Sequence, residues 1–118
     1  MNPSPYNLED SDVIETPTIR WQGASGNSYR YWIYPIGHSL KTEGGNYIFA
    51  RETESGRYTP IYIGETGDLS DRFDNHHKAE CIGNEGATHI HARLNSKHQD
   101  RLDEEADLVA KWQPPCND

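Results

Sequence analysis

Two strand-like runs, "GGNYIFARE" and "YTPIYIG", are joined by the polar, glycine-bearing "TESGR" and commit the middle of the chain to an antiparallel hairpin with a moderately long loop. Alternation places Tyr47, Phe49 and Arg51 on one face of the first strand, and Tyr62 and Gly64 opposite Ile61 and Ile63 on the second. A third strand is expected at "ATHIHARLN", with Ile90, Ala92 and Leu94 turned inward and His89, His91 and Arg93 outward. Upstream, "TIRWQG" and "SYRYWIYPIG" flank the turn-like "ASGN" and suggest a further short hairpin. Its aromatics, Trp21, Tyr29, Tyr31, Trp32 and Tyr34, suit core or edge packing better than a base-stacking platform.

A chain of 118 residues has room for one domain and one core. Apolar residues make up only 33% of it, so that core is small. Residues 1–17 are rich in proline (Pro3, Pro5, Pro17) and acid (Glu9, Asp10, Asp12, Glu15), the composition of a mobile tail. The domain is then expected over 18–118, as an N-terminal hairpin extension (18–44) and a core (45–118). No run is long enough for a membrane span and the start has no secretory pattern, so a cytoplasmic protein without membrane contact is expected. Cys81 and Cys116 accordingly read as free thiols. A net charge of -8 argues against indiscriminate nucleic-acid binding, which needs a basic surface.

A helix is expected after "ETGD", with Asp68 as N-cap and Leu69 and Phe73 on its buried face. The last helix should begin at a capping box of Ser96 with Gln99 and stop at Pro114 and Pro115. On it, Leu102, Ala106, Leu108, Val109, Ala110 and Trp112 gather on one side, while Asp103, Glu104, Asp107 and Lys111 fall outside. Glu105 projects from the apolar side, where a carboxylate is costly unless it is paired or bound to a cation. Three readings stay open: a salt bridge to an internal arginine, a metal ligand or general acid/base, and a shifted helix phase that exposes it. His89 and His91 with Cys81 or His77 lack a second convincing pair for zinc and read as a polar strand face.

The ordered set of "NYI" at 46–48, "YIG" at 62–64, Arg72, His76, Glu105 and Asn117 resembles the GIY-YIG nuclease pattern, whose members include the N-terminal nuclease of the excision-repair incision subunit. The spacing carries the resemblance: Arg72 stands ten residues after Tyr62, His76 one helical turn later, and Asn117 twelve after Glu105 in a Pro-x-x-Asn ending. The two tyrosines are fifteen apart, which reads as an insertion in the hairpin loop, and Glu65 stands where the family often has a basic residue. The resemblance covers about residues 45–118.

It implies an α+β fold with a small central three-stranded antiparallel sheet flanked by helices, the N-terminal hairpin being extra. It also implies an endonuclease that hydrolyses phosphodiester bonds in DNA with one Mg²⁺ or Mn²⁺ held by Glu105. Tyr47 would be the general base, Tyr62 would position water or phosphate, and Arg72 and His76 would meet the phosphate. Gly64 would allow close backbone approach to substrate, Asn117 would fix the loop geometry, and His77 would lie on the surface. The acidic charge leaves room for a protein partner that delivers the substrate. Two alternatives are a noncatalytic nucleic-acid-binding or adaptor module of the same fold, and a nuclease for RNA or single strands.

Overall fold

The strand expected third in the core lies at the centre of a larger sheet than the sequence suggested. The computed structural model describes residues 16–70 and 77–117. In it β1 (Thr18–Gln22), β2 (Ser28–Pro35), β3 (Gly45–Glu54), β4 (Arg57–Thr66) and β5 (His89–Leu94) form one antiparallel sheet in the order β1-β2-β5-β3-β4. Two helices, α1 (Ala79–Asn84) and α2 (His98–Trp112), complete the α+β fold. The expected three-stranded core is therefore corrected to five strands. The upstream hairpin is continuous with the core because Trp32, Ile33, Tyr34 and Pro35 pair with Ala92, His91, Ile90 and His89. Among the described residues no helix is long and apolar enough to cross a membrane.

Central placement explains why β5 is buried on both sides although its sequence alternates. Ile90 and Ala92 join a cluster with Trp32, Tyr34, Tyr47, Phe49 and Tyr62, capped by Leu40, Leu69 and Ile82. On the opposite face Trp21, Tyr31, Ile48, Ala50 and Ile63 pack against Leu108 of α2. Core packing thus claims Trp21, Tyr31, Trp32 and Tyr34, as expected over stacking on bases. His91, expected on an open polar face, is fully buried instead. Its Nδ1 accepts a hydrogen bond from Trp21 Nε1 at 3.0 Å, and its ring stands nearly perpendicular to that of Tyr58 at 4.6 Å.

The β3–β4 hairpin has no long loop. Glu54 pairs with Arg57, leaving Ser55 and Gly56 as a two-residue turn, with Gly56 at φ 78°. The extra residues between the two tyrosines lengthen the strands rather than the loop. A register shift after Phe49 leaves Ile61 between the pairs Phe49–Tyr62 and Ala50–Pro60. Ile61 consequently joins the same cluster as Tyr62, whereas Ile63 faces the other way.

The C-terminal segment straps the outer edge of β4. Cys116 N–H donates to Ile61 O at 3.1 Å, and the Asn117 side chain makes two bonds to Ile63, accepting from its N–H at 2.7 Å and donating to its carbonyl at 2.8 Å. An otherwise unpaired sheet edge is covered in this way. Cys81 and Cys116 form a disulfide that ties the strap to α1, which corrects the expectation of free thiols. Closing a loop with a sequence separation of 35 constrains the unfolded chain, an effect of about 3–4 kcal/mol in the loop-entropy account.

Helix α2 departs from the expected phase. Its buried residues are Arg101, Glu104 and Leu108, while Leu102, Ala106, Ala110 and Trp112 are exposed and Glu105 is half-buried. A stripe at helical spacing is present, but two of its three members are charged, so counting apolar residues located the wrong side. Lys97, not Ser96, is the N-cap, and Gln99 bonds Asp103 at 2.9 Å instead of closing a capping box. The helix does stop before the proline pair, with Gln113 in a left-handed conformation at φ 44°. Asp68 accepts from Ser70 N–H at 2.9 Å. The helix expected next, with Phe73, falls on residues 71–76, outside the described residues, as does most of the expected tail, 1–15.

Burial and the neighbouring His89 depress the His91 pKa from 6.5 to about 3. The unfolded chain then binds a proton here that the folded protein does not. The associated stability is complete above pH 6.5 and is lost as pH falls towards 3, with a slope of up to about 1.4 kcal/mol per pH unit. Urea denaturation across this range should show that slope reduced in His91→Gln, which keeps an acceptor for Trp21. Equal slopes in the two proteins would contradict the buried neutral histidine.

Candidate active site

Neighbouring strands bring the two motif tyrosines together on one sheet face. Tyr47 of β3 sits directly opposite Gly64 of β4, and Tyr62 opposite Phe49. The rings of Tyr47 and Tyr62 lie 6.1 Å apart, and Phe49 meets Tyr47 edge-on at 5.8 Å. Both tyrosines are more than nine-tenths buried.

Gly64 is required by this packing rather than by its backbone angles. A Cβ on it would stand 2.7 Å from the Tyr47 hydroxyl and ring and 2.8 Å from the Tyr62 ring. The glycine of "YIG" therefore makes room for the phenol across the ladder. Asn117, through its two bonds to Ile63, fixes the backbone between Tyr62 and Gly64.

Glu105 approaches this group from α2. Burial first and then the charge of Glu65 raise its pKa. The Tyr62 pKa is raised by burial and next by the charge of Glu105, against the opposing bond from Tyr47. Among the described residues Glu105 has no hydrogen bond and no ion pair within 4.0 Å. A half-buried, unpartnered carboxylate is the oxygen donor a hard divalent cation takes, with water filling its other positions. The residues present therefore fit one such cation at Glu105. No group of three or more His, Cys, Asp or Glu side chains is placed to hold a metal among the described residues, so the zinc arrangement is not formed there.

Glu65 is answered by Arg101, whose Nε donates to it at 2.9 Å while Nη1 donates to Asn95 O at 3.0 Å. One turn further along α2, Glu104 is buried, correcting its expected place among solvated charges. It accepts from Tyr31 at 2.5 Å, from Arg93 at 3.0 Å and from Asn95 at 3.3 Å. Burial raises the Glu104 pKa, opposed by Arg93 and by its three donors. Asn95 also donates to Asn46, which in turn donates to the Arg101 carbonyl at 3.0 Å. A cleft of about 560 Å³ beside Arg101 is lined by Gly44, Gly67, Asn95 and Ser96 and holds none of the motif residues.

The structure thus places Tyr47, Tyr62, Gly64, Glu105 and Asn117 around one stretch of β4. Arg72 and His76 lie outside the described residues. His77, expected simply at the surface, is exposed yet meets the Tyr62 ring edge-on at 6.0 Å. Sequence reasoning missed Glu104 and Arg101 as well. The spacing Arg101, Glu104, Leu108 was a usable signal, had polar residues been allowed on the buried stripe.

Substituting Gly64→Ala should displace the Tyr47 ring and cost about 1–3 kcal/mol of stability, as overpacking does. Denaturation midpoints equal to those of the wild type would show that the two rings do not depend on this glycine.

No protein-family model matches the sequence, and a search of curated proteins found no match. Solved structures do match. The chain is similar to the N-terminal GIY-YIG endonuclease domain of UvrC from Thermotoga maritima bound to its catalytic magnesium, at 30% identity and a TM-score of 0.55, over 66% of this chain and 86% of that one. Two point variants of the same domain, each bound to its catalytic divalent cation, match at 28% and 32% identity with TM-scores of 0.54 and 0.53 over the same shares. Together with the tyrosine pair, the glycine beneath it and the carboxylate beside it, this likeness means that the chain belongs to the GIY-YIG nuclease family.

Proposed function

We propose that the protein is a metal-dependent DNA endonuclease, built as a single domain over 18–118 with its nuclease core at 45–118. The observation that carries this reading is the Glu105 carboxylate, unpartnered among the described residues, on the helix that packs against β4, where the Tyr62 ring lies 6.1 Å from that of Tyr47. The matched UvrC domain, bound to magnesium, supports the choice of cation.

In this reading Glu105 holds one Mg²⁺ or Mn²⁺. A bound cation supplies positive charge for the phosphate and acidifies the attacking water. Tyr47 would act as general base in its phenolate form, its own proton having passed to solvent through a water relay, and would then take a proton from that water; Tyr62, its ring 6.1 Å away, packs beside it. Tyr62, whose pKa burial raises, would stay a hydrogen-bond donor towards water or phosphate. Arg72 and His76 are assigned to the phosphate oxygens and the leaving group. Asn117 acts through the backbone of Ile63 and is a positioning residue. Glu65 takes no part in binding phosphate, because Arg101 neutralises it.

The test is cleavage of supercoiled plasmid and of single-stranded DNA at low salt, with Mg²⁺ or Mn²⁺. The wild type should cut, and Glu105→Ala should cut at least about 100-fold more slowly while melting as the wild type does. A wild type that leaves both substrates intact would favour a noncatalytic module of the same fold. An Ala variant of unchanged rate would remove Glu105 from the chemistry.

A further inference from the structure

Outside the site, the stretch from Thr16 to Thr42 contains Arg20, Arg30 and Lys41 and no Asp or Glu, within a protein of net charge -8. Arg20 of β1 and Arg30 of β2 are direct cross-strand partners. Like charges in opposed positions are destabilising. No carboxylate among the described residues lies within 4.0 Å of either guanidinium to relieve them. Their neighbours on this face of the hairpin, Thr18, Gln22 and Ser28, are polar, uncharged and exposed. Arg30 sits 5.2 Å from the centre of the Trp32 ring, which aligns its side chain along the sheet.

The pairing registers put this arginine pair on the face that carries the candidate site. Trp32 pairs with Ala92, Ala92 with Tyr47 and Tyr47 with Gly64, so these residues form one row across the sheet. Arg30 lies two residues along β2 from that row, on the same side, and Arg20 stands beside it on β1. Three strand spacings separate β1 from β3, roughly 14 Å. Arg30, on β2, is two spacings away, roughly 10 Å; each DNA strand advances about 3.4 Å per phosphate, so the two arginines fall about three to four phosphates from the position of Tyr47.

We infer that the Arg20–Arg30 face of the hairpin binds the phosphate backbone of the DNA on which the site acts. This surface rests on the nuclease reading and extends it. It gives an acidic protein a local basic footing for its substrate, placed in a segment outside the motif-bearing residues 45–118. An anionic backbone offers the two guanidiniums the counter-charge that the described residues withhold.

The experiment measures the affinity of the full chain for a labelled DNA duplex in EDTA, between 50 and 200 mM salt, for the wild type, for Arg20→Ser with Arg30→Ser, and for Arg20→Lys with Arg30→Lys. Two lost phosphate contacts should make the slope of log affinity against log salt shallower by about 1.8 in the serine variant. The lysine variant should keep most of the wild-type slope. The serine variant should be within about 1 kcal/mol of the wild type in stability, because relief of the opposed charges offsets the lost contact of Arg30 with Trp32. If the wild type binds and cuts DNA and the serine variant shows the same slope and affinity, the surface is wrong while the nuclease reading stands. A wild type that neither binds nor cuts overturns both. Loss of binding in the serine variant together with a lowered melting temperature would make the arginines structural and overturn the assignment.

Discussion

The attachment of α2 to the sheet rests on two carboxylate–arginine pairs, Glu104 with Arg93 and Glu65 with Arg101. All four side chains are at least four-fifths buried. Removing one partner of a buried pair costs about 3–5 kcal/mol, because the other charge is left without compensation. That penalty makes the helix selective about its rotation. A turn of one position would expose Leu108 and strip Glu104 of its three donors. Glu105 is the next residue along, so the pairs that seat Glu104 also deliver the unpartnered carboxylate to the tyrosines.

The same logic explains why the network is polar at a place where an apolar seam would pack well. Asn46, which is fully buried, precedes the first tyrosine of the motif and bonds the backbone of Arg101. Asn95, at the exit of β5, links Asn46 to Glu104. The strand that carries Tyr47 is therefore registered against the helix that carries Glu105 by hydrogen bonds with fixed partners, not by interchangeable methyl groups. On the other side of β4, Asn117 and the disulfide strap hold the backbone of Ile61 and Ile63. The tyrosine pair lies between these two constraints.

Strand positions were legible in the sequence because alternation and turn residues act locally. β1 to β5 all fall on runs whose pattern announces them, and the motif spacing pointed to the family without any knowledge of the fold. What was not legible depended on partners distant in the chain. The width of the sheet follows from β2 meeting β5, some sixty residues apart, and nothing local to either strand records it. The burial of Glu104 follows from Tyr31, Arg93 and Asn95, which lie on two strands and a loop. The disulfide was not legible because the start of the chain carries no secretory pattern, which favours free thiols, whereas the fold brings the Cys81 and Cys116 Cα atoms to 5.9 Å. Tyr62 and Glu105 drew notice as candidates because they stand in a spaced motif, whereas Glu104 stands in no motif at all.

In the proposed nuclease Glu105, unpartnered among the described residues, holds a cation beside Tyr62. Crystals soaked in Mn²⁺ and measured for anomalous scattering test it most directly. A peak is expected within bonding distance of a Glu105 carboxylate oxygen, about 2.0–2.6 Å for a hard cation, and none in crystals of Glu105→Ala. A saturating soak that leaves Glu105 bare, or places the metal on other side chains, would contradict it.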